Sequence, residues 1–383
     1  LYSIYFYLIN ISVYNSPIFL LFYLNLQANI KVMSKQKVII CHSINENLAD
    51  AISQCTYDKL FILVDEHTRK LCIPLIQEAG FMKDAQLICI GAEDVHKNLD
   101  TLAYVWKQLG DRGATRHSLL VNLGGGMVTD LGGFAASTFK RGIKYINVPT
   151  TLLAMVDASV GGKTGINFNG LKNEIGVFSP AESVLIDSEF LKSLDLHNLL
   201  SGYAEMLKHG LISTPEHWAE LLNFDFNKTD YKALQKLVAK SVQIKEKIVE
   251  CDPYETGIRK ALNLGHTVGH AFESFALEIN HPVLHGYAVA WGMVCELYFS
   301  HVKTGFPKDK LRQTLQFIKE HYGKLDFDCK HYDRLYEFMT HDKKNIADRI
   351  NFTLLADVGD IQINQSATKE EIMDMLDFYR ESM

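Results

Sequence analysis

The segment from Arg259 to Glu273 concentrates residue types that bind metals and move protons. It contains His266 and His270, four positions apart, and a third histidine, His285, follows in Leu-His-Gly. On a helix, residues with this spacing project from one face, one turn apart. A carboxylate, Glu205, lies upstream in Gly-Tyr-Ala-Glu. Two or three neutral imidazoles with one carboxylate form a ligand set suited to Zn²⁺ or a similar divalent ion.

The histidine pair alone also fits a second interpretation. Polar residues on the surface or in the core of a helix produce the same spacing, so HxxxH is a weak signal. What favours a site is the density of other ionisable groups nearby, which includes Arg259 and Lys208.

A second candidate site follows a predicted buried strand, Ser118–Leu123, which runs directly into Gly124, Gly125 and Gly126. Three glycines in a row permit close backbone approach and expose N–H groups at a helix start. Such a turn can hold the diphosphate of a dinucleotide. The sequence is not the G-x-G-x-x-G fingerprint, and a glycine-rich turn alone is weak evidence.

A third segment, Val156–Gly165, contains Gly-Lys-Thr and superficially resembles the phosphate loop of ATPases. That loop requires a glycine five positions before Gly162, but this chain has Asp157 there. It also requires a strand that leads directly into it, and the sequence predicts none. We therefore exclude an ATPase.

The elements that position these residues alternate between strand and helix from Lys37 onward. Predicted strands include Lys37–Cys41, Leu60–Val64 and Gln86–Ile90. In such a fold the carboxyl ends of the strands face the ligand crevice. Asp65 ends the second strand, where it either hydrogen-bonds a ribose hydroxyl or caps the following helix.

The predicted fold class is α/β, with a Rossmann-like parallel-sheet domain followed by a mostly α-helical domain. We place the first at residues 34–190 and the second at 191–383, with a short strand pair at Asn351–Ile363. A chain of 383 residues is long enough for two domains.

Composition narrows the class of protein. Hydrophobic residues make up 47% and charged residues 22%, which is typical of a soluble globular protein. The net charge of −6 provides no general attraction for nucleic acid. Seven scattered cysteines without a CxxC motif indicate reduced thiols in a cytoplasm.

Residues 1–33 differ from the rest. Leu1–Leu26 is apolar and uncharged, and it lacks the basic start of a signal peptide. We expect a non-native extension, with Met33 as the natural start. The alternative is a membrane anchor, although Asn10 and Pro17 interrupt the apolar run. We expect no membrane association.

Several motifs together resemble the 3-dehydroquinate synthase family of sugar phosphate cyclases. They are Gly161–Thr164, Gly202–Glu205, Asn263–His270 and His285-Gly286, in the family's order, and the resemblance extends from about residue 35 to the end. It implies conversion of 3-deoxy-D-arabino-heptulosonate 7-phosphate to 3-dehydroquinate and phosphate, in the shikimate pathway of aromatic amino acid biosynthesis. It also implies catalytic NAD⁺, a divalent metal (Zn²⁺ or Co²⁺), a small anionic sugar phosphate as substrate, and a homodimer.

The resemblance assigns roles residue by residue. Glu205, His266 and His285 match the metal ligands, whereas Glu255 and His270 match the proton acceptors, so the HxxxH pair does not ligate as a pair. The implied substrate-binding residues are Arg141, Asp157, Lys163, Asn173, Lys208, Lys245, Arg259, Asn263 and Lys343 or its neighbour Lys344. The implied NAD⁺-binding residues are Asp65, Glu93, Lys97, Gly124, Gly125, Gly126, Asp130, Thr150, Thr151, Lys163, Lys172, Phe190 and Ser193.

The chain departs from the family at a few positions. One extra residue separates Glu93 from Lys97, Thr129 replaces a usual glycine, and Tyr287 stands where many members have Glu.

Other interpretations remain open at this point. A related metal-dependent polyol dehydrogenase would release NADH, whereas a cyclase recycles it. Another sugar phosphate cyclase would act on a different ring. A non-enzymatic NAD-binding module would need neither the metal ligands nor Glu255 and His270.

Overall fold

A computed structural model of the chain describes residues 36–169, 171–340 and 350–383. The expectations for residues 1–33 and for Lys343 and Lys344 therefore lie outside the described residues.

Parallel strands form the sheet of the first half. Their bounds, with those of a separate hairpin, are β1 (Lys37–Ile40), β2 (Leu60–Asp65), β3 (Ala85–Ile90), β4 (Leu119–Gly124), β5 (Lys144–Pro149), β6 (Lys163–Phe168), β7 (Leu171–Phe178) and β8 (Ser183–Ile186). The sheet has the order β1-β8-β5-β4-β2-β3, and its pairs are parallel. Every residue of β2 and β4 is buried, as expected for strands covered on both faces.

Helices cover this sheet. They are α1 (Ile44–Ser53), α2 (Glu66–Leu71), α3 (Ile73–Ile76), α4 (Leu99–Asp111) and α5 (Gly126–Thr138). α4 shows why such segments fold: Asn98 caps its first turn, and Leu102, Val105 and Leu109 form the buried stripe of an amphipathic helix.

The chain reverses direction between β2 and β4. From β2 it proceeds outward to the edge strand β3, and from β4 it proceeds the other way to β5. Open α/β sheets bind ligands at such a switch point, beyond the carboxyl ends of the strands. Asp65 and the three glycines end these two strands, so the fold brings both predicted features to one crevice.

β6 and β7 form an antiparallel hairpin outside the main sheet. A π-helix, Ala154–Ala158, precedes it and carries Asp157. β6 packs against α5, whereas all residues of β7 are exposed.

The second half is mostly helical. Its elements are α6 (Leu196–Leu211), α7 (Pro215–Leu222), α8 (Tyr231–Cys251), α9 (His266–Glu278), α10 (His285–Thr304), α11 (Lys308–Tyr322), α12 (Tyr332–Thr340), β9 (Asn351–Asp357), β10 (Asp360–Ser366) and α13 (Lys369–Ser382). α10 is buried along most of its length and packs against α6, α9 and α11, which makes it the central helix.

The predicted fold class is confirmed, and the predicted strand pair near residue 351 is confirmed with an extension to Ser366. Residues 36–383 form one compact unit, and the boundary after residue 190 stays a prediction. In the described ranges, no helix is both long and apolar enough to cross a membrane.

Candidate active site

Glu205, His266 and His285 converge from three helices. Glu205 lies within α6, whereas His266 and His285 are the first residues of α9 and α10. Glu205 Oε1 is 3.4 Å from His266 Nε2 and 3.6 Å from His285 Nε2. This oxygen is buried and has no hydrogen-bond partner among the described residues. Leaving a buried carboxylate oxygen unpaired is costly, so the donor set fits a cation bound at this point.

A buried carboxylate fixes the start of α9. Gly265 adopts the left-handed conformation with φ 79°, which suits glycine, and turns the chain into the helix. Glu296 in α10 accepts hydrogen bonds from the backbone N–H groups of Gly265 (2.6 Å) and Val268 (3.1 Å). His266 lies between those two donors, so Glu296 holds its backbone in place.

The second ring nitrogen of each predicted ligand histidine has an acceptor nearby. His266 Nδ1 lies 3.1 Å from the carbonyl oxygen of Leu264, and His285 Nδ1 lies 3.4 Å from Glu273 Oε2. Such acceptors select the tautomer whose Nε2 is free to bind a metal.

His270 lies close to the other two histidines. Its ring centroid is 5.4 Å from that of His266 and 5.9 Å from that of His285. One nitrogen from each of the three rings lies within 4.8 Å of the others. Two sets of side chains could therefore bind one ion: Glu205 with His266 and His285, or the three histidines. The assignment of His266 as a ligand and of His270 as a proton acceptor stays a prediction.

Three predicted substrate-binding cations, Lys208, Lys245 and Arg259, are buried. Lys208 pairs with Glu205 Oε2 one turn away on α6, and Lys245 pairs with Asp157 at 2.5 Å. The Arg259 guanidinium donates to the carbonyl oxygens of Pro253 (2.5 Å) and Gly161 (3.1 Å), and its Nε has no partner among the described residues. Burial lowers the pKa of Lys245 and of Arg259.

The predicted proton acceptor Glu255 lies between two predicted substrate residues. It accepts a hydrogen bond from Asn263 Nδ2 at 2.8 Å and pairs with the ammonium of Lys163. Its φ of 59° is unusual for a residue other than glycine, and such strained backbone is common at functional sites. Asp252 stabilises this loop by accepting hydrogen bonds from backbone N–H groups, among them that of Arg259 at 3.1 Å.

The glycine turn after β4 leaves little space for side chains. A Cβ on Gly125 would lie 3.1 Å from Thr151 Cγ2, and one on Gly126 would lie 3.3 Å from Ala158 Cβ. The Thr150 N–H donates to the Gly124 carbonyl at 3.0 Å. α5 begins at this turn, so its free N–H groups fit a diphosphate.

A polar cluster lies next to the turn. Lys97 Nζ is 2.5 Å from Asp130 Oδ2 in α5 and 2.5 Å from Asn173 Oδ1 in β7. Burial raises the pKa of Asp130 although Lys97 opposes it. Lys97, Asp130 and Asn173, which were predicted from separate motifs, are thus in contact here.

Known 3-dehydroquinate synthases match most of the chain. The family's sequence models match residues 87–201 (3-dehydroquinate synthase N-terminal) and 202–345 (3-dehydroquinate synthase C-terminal). A 3-dehydroquinate synthase of Parabacteroides distasonis is 58% identical over 91% of this chain and 99% of the relative. A 3-dehydroquinate synthase of Streptococcus pneumoniae is 37% identical over 83% of this chain and 90% of the relative.

The chain belongs to the 3-dehydroquinate synthase family.

Solved structures agree in fold. A 2-epi-5-epi-valiolone synthase of Streptomyces hygroscopicus with NAD⁺ and Zn²⁺ bound has a TM-score of 0.79 and 25% identity, over 91% of this chain and 97% of that chain. A 2-deoxy-scyllo-inosose synthase complexed with carbaglucose-6-phosphate, NAD⁺ and Co²⁺ has a TM-score of 0.78 and 23% identity. The match covers 90% of this chain and 96% of that chain.

Four further residues assigned from the family motifs differ in their surroundings. Asp65 caps α2 by accepting the Thr68 N–H at 2.7 Å, which is the capping alternative. Glu93 is exposed with φ 72°. Arg141 is also exposed, at the end of the 3-10 turn that follows α5. Phe190 is buried in a 3-10 helix.

Ser193 lies at the end of that 3-10 helix. Its hydroxyl donates a hydrogen bond to the Phe190 carbonyl of the same turn, at 3.1 Å. Tyr287, the departure from the family's Glu, packs its ring 4.3 Å from that of His197.

The site contains two carboxylates to which the sequence analysis assigned no role. Glu296 is the only carboxylate of α10 and stands in its apolar middle, and that isolation was the available signal. Glu273 follows His266 by seven positions, which places both on one helix face. It also pairs with Lys172, a predicted NAD⁺ residue, at 2.6 Å.

Proposed function

We propose that the buried cluster of Glu205, His266 and His285 is the metal site of a 3-dehydroquinate synthase. The enzyme converts 3-deoxy-D-arabino-heptulosonate 7-phosphate to 3-dehydroquinate and phosphate. The observation that carries the assignment is the unpaired Glu205 oxygen facing two imidazole nitrogens, beside buried Lys208 and Lys245.

The cofactors follow from the fit of the residues. Gly124, Gly125 and Gly126 would hold the diphosphate of NAD⁺, and Glu205, His266 and His285 would hold Zn²⁺ or Co²⁺. When bound, NAD⁺ supplies reversible hydride transfer, and the metal supplies a Lewis acid for a substrate oxygen.

Cationic side chains would bind the substrate's phosphate and carboxylate. Lys163 is half-exposed, so its ammonium can exchange Glu255 for a substrate anion. Arg259 and Lys245 are buried and already have oxygen acceptors, which orients both for charge-assisted hydrogen bonds. Arg141 and the lysines at 343 and 344 are further candidates from the family motifs.

Glu255 and His270 would move protons during the loss of phosphate and the closure of the ring. Asn263 holds Glu255 by a 2.8 Å hydrogen bond and so defines its orientation. His270 lies on the same face of α9 as His266, so it would lie beside a metal held by His266 without itself being a ligand.

Larger-scale features complete the proposal. Residues 34–190 would bind NAD⁺, and residues 191–383 the metal and the substrate. A homodimer is supported by β7, whose apolar Leu171, Ile175 and Val177 are exposed in one strand. A cytoplasmic location is supported by free thiols at all seven cysteines, which lie in the described ranges.

The test is cofactor recycling. The purified enzyme is given the heptulosonate phosphate in large excess over NAD⁺, and phosphate, NADH and the carbocyclic product are measured. We expect phosphate far beyond the amount of NAD⁺, no accumulated NADH, and 3-dehydroquinate as product. NADH formed in step with substrate, without phosphate, would instead identify a dehydrogenase. Turnover only of other sugar phosphates would identify a cyclase of another ring.

A further inference from the structure

We propose that Glu273 positions the metal ligand His285 and ties it to the β6–β7 hairpin through Lys172. Glu273 is not itself a ligand in this proposal. The inference rests on the proposed function, because it takes Glu205, His266 and His285 as the metal ligands.

The geometry joins three elements at one carboxylate. Glu273 in α9 has Oε2 3.4 Å from His285 Nδ1 in α10, and its Oε1 accepts a hydrogen bond from Lys172 Nζ in β7 at 2.6 Å. Its side chain is 13% exposed, so water competes weakly for either oxygen. Both carboxylate oxygens are therefore committed to groups on other elements.

The contact with His285 sets the function of that ring. A neutral imidazole carries one N–H, and if Nδ1 donates to Glu273 the lone pair of Nε2 is free. That Nε2 faces Glu205 Oε1 at 3.6 Å, where the metal would lie. A carboxylate behind a ligand histidine orients the ring and makes it a stronger donor.

The two ligand histidines are held in different ways. His266 Nδ1 lies 3.1 Å from a backbone carbonyl, that of Leu264, which no substitution removes. His285 depends on a side chain instead. The distance to Glu273 is long for an N–H···O bond, and the hydrogen bond from Lys172 to the other carboxylate oxygen, at 2.6 Å, holds the side chain at that place.

Lys172 extends the connection toward the nucleotide side. Its neighbour in β7, Asn173, accepts a hydrogen bond from Lys97, which also pairs with Asp130 in α5. The position of the hairpin is thereby linked to the orientation of a metal ligand. Metal affinity should respond to a change at Lys172, although less than to a change at Glu273.

The experiment measures metal binding directly. Metal-free Glu273→Ala and Glu273→Gln are titrated with Co²⁺ against a chromogenic chelator, and the visible spectrum of bound Co²⁺ is recorded. Glu278→Gln is the matched control, because Glu278 lies on the same helix and pairs with the exposed Arg334. Lys172→Met and His285→Ala are measured alongside.

We expect Glu273→Ala to weaken Co²⁺ binding by about 10- to 100-fold. Glu273→Gln should lose less, since its amide oxygen can still accept from Nδ1, and Lys172→Met less again. Glu278→Gln should match the wild type. The Co²⁺ spectrum of the Glu273 variants should keep the wild-type coordination, whereas His285→Ala should change it.

Wild-type affinity in both Glu273 variants would overturn the proposal. So would a spectrum and affinity equal to those of His285→Ala, because Glu273 would then act as a ligand. Should Glu273→Ala fail to fold by circular dichroism, the isosteric Glu273→Gln decides. A wild-type protein that binds no Co²⁺ would refute the metal site itself, which separates that failure from this one.

Discussion

Lys245 in α8 and Asp157 in the π-helix form a partly buried ion pair across 88 residues of sequence. The lysine ammonium donates to the carboxylate and to the backbone carbonyl of Asp157, each at 2.5 Å. Burial would raise the pKa of Asp157, but Lys245 outweighs it and holds that pKa below its ordinary range. The pair joins the helical half to the segment that follows β5.

Removing one partner of this pair should be costly. Lys245→Met leaves a partly buried carboxylate without its ammonium partner, so we expect the free energy of unfolding to fall by about 1 to 3 kcal/mol. Urea denaturation at neutral pH measures it. Exposed Lys247 on the same helix provides the control, and Lys247→Met should change stability by less than about 0.5 kcal/mol. Equal stability of the two variants would show that this ion pair does not stabilise the fold.

The histidines of the HxxxH pair should differ in their roles. His266→Ala should lose most bound metal, because Glu205 Oε1 and His285 Nε2 alone cannot hold it tightly. His270→Ala should keep the metal and lose about 100-fold or more in kcat, the effect of removing a proton acceptor. Metal content after dialysis and steady-state rates measure the two effects. Equal metal loss in both variants would favour the all-histidine set.

α10 begins in close contact with α6 at Gly286. A Cβ on Gly286 would lie 1.8 Å from the Ser201 carbonyl oxygen, so Gly286→Ala must push α10 away from α6. His285 is the preceding residue, and we expect weaker Co²⁺ binding and a lower unfolding temperature. Gly110→Ala is the control, since its added methyl meets nothing within 4 Å in an exposed part of α4. That variant should be neutral or slightly stabilised. Unchanged metal affinity in Gly286→Ala would show that the helices can separate freely.

His209 should make stability depend on pH. It is fully buried, and burial lowers its pKa from 6.5 to about 3. Between these values the unfolded chain binds a proton that the folded chain excludes, so the free energy of unfolding falls as the pH falls below 6.5. Above pH 6.5 this contribution to the free energy of unfolding is fully present. Below that pH it decreases by about 1.4 kcal/mol for each pH unit.

The variant His209→Leu tests this dependence. Both ring nitrogens of His209 lack partners in the described ranges, so leucine sacrifices no hydrogen bond there. Urea denaturation from about pH 6.5 to about pH 5 should give a shallower slope for His209→Leu than for the wild type. His281→Leu, at an exposed position, should keep the wild-type slope. Identical slopes for all three proteins would assign the pH dependence to other groups.

Local patterns in the sequence were enough for the architecture and for much of the site. Buried runs of β-branched and aliphatic residues predicted β2 and β4, and the glycines after β4 predicted the turn that starts α5. The four-residue spacing of His266 and His270 was enough to place both on one helix face. These features depend on residues that are neighbours in sequence, where periodicity and turn chemistry act directly.

Only the tertiary structure decided which distant side chains meet. Glu273 reaches Lys172 across 101 residues, and Glu296 reaches Gly265 across 31. It also revealed that Lys208, expected to face substrate, pairs with Glu205 in the interior. Such pairings depend on how helices and strands pack over their whole length. A buried charge is stable only where that packing supplies a partner, and the local sequence of either residue does not specify the partner.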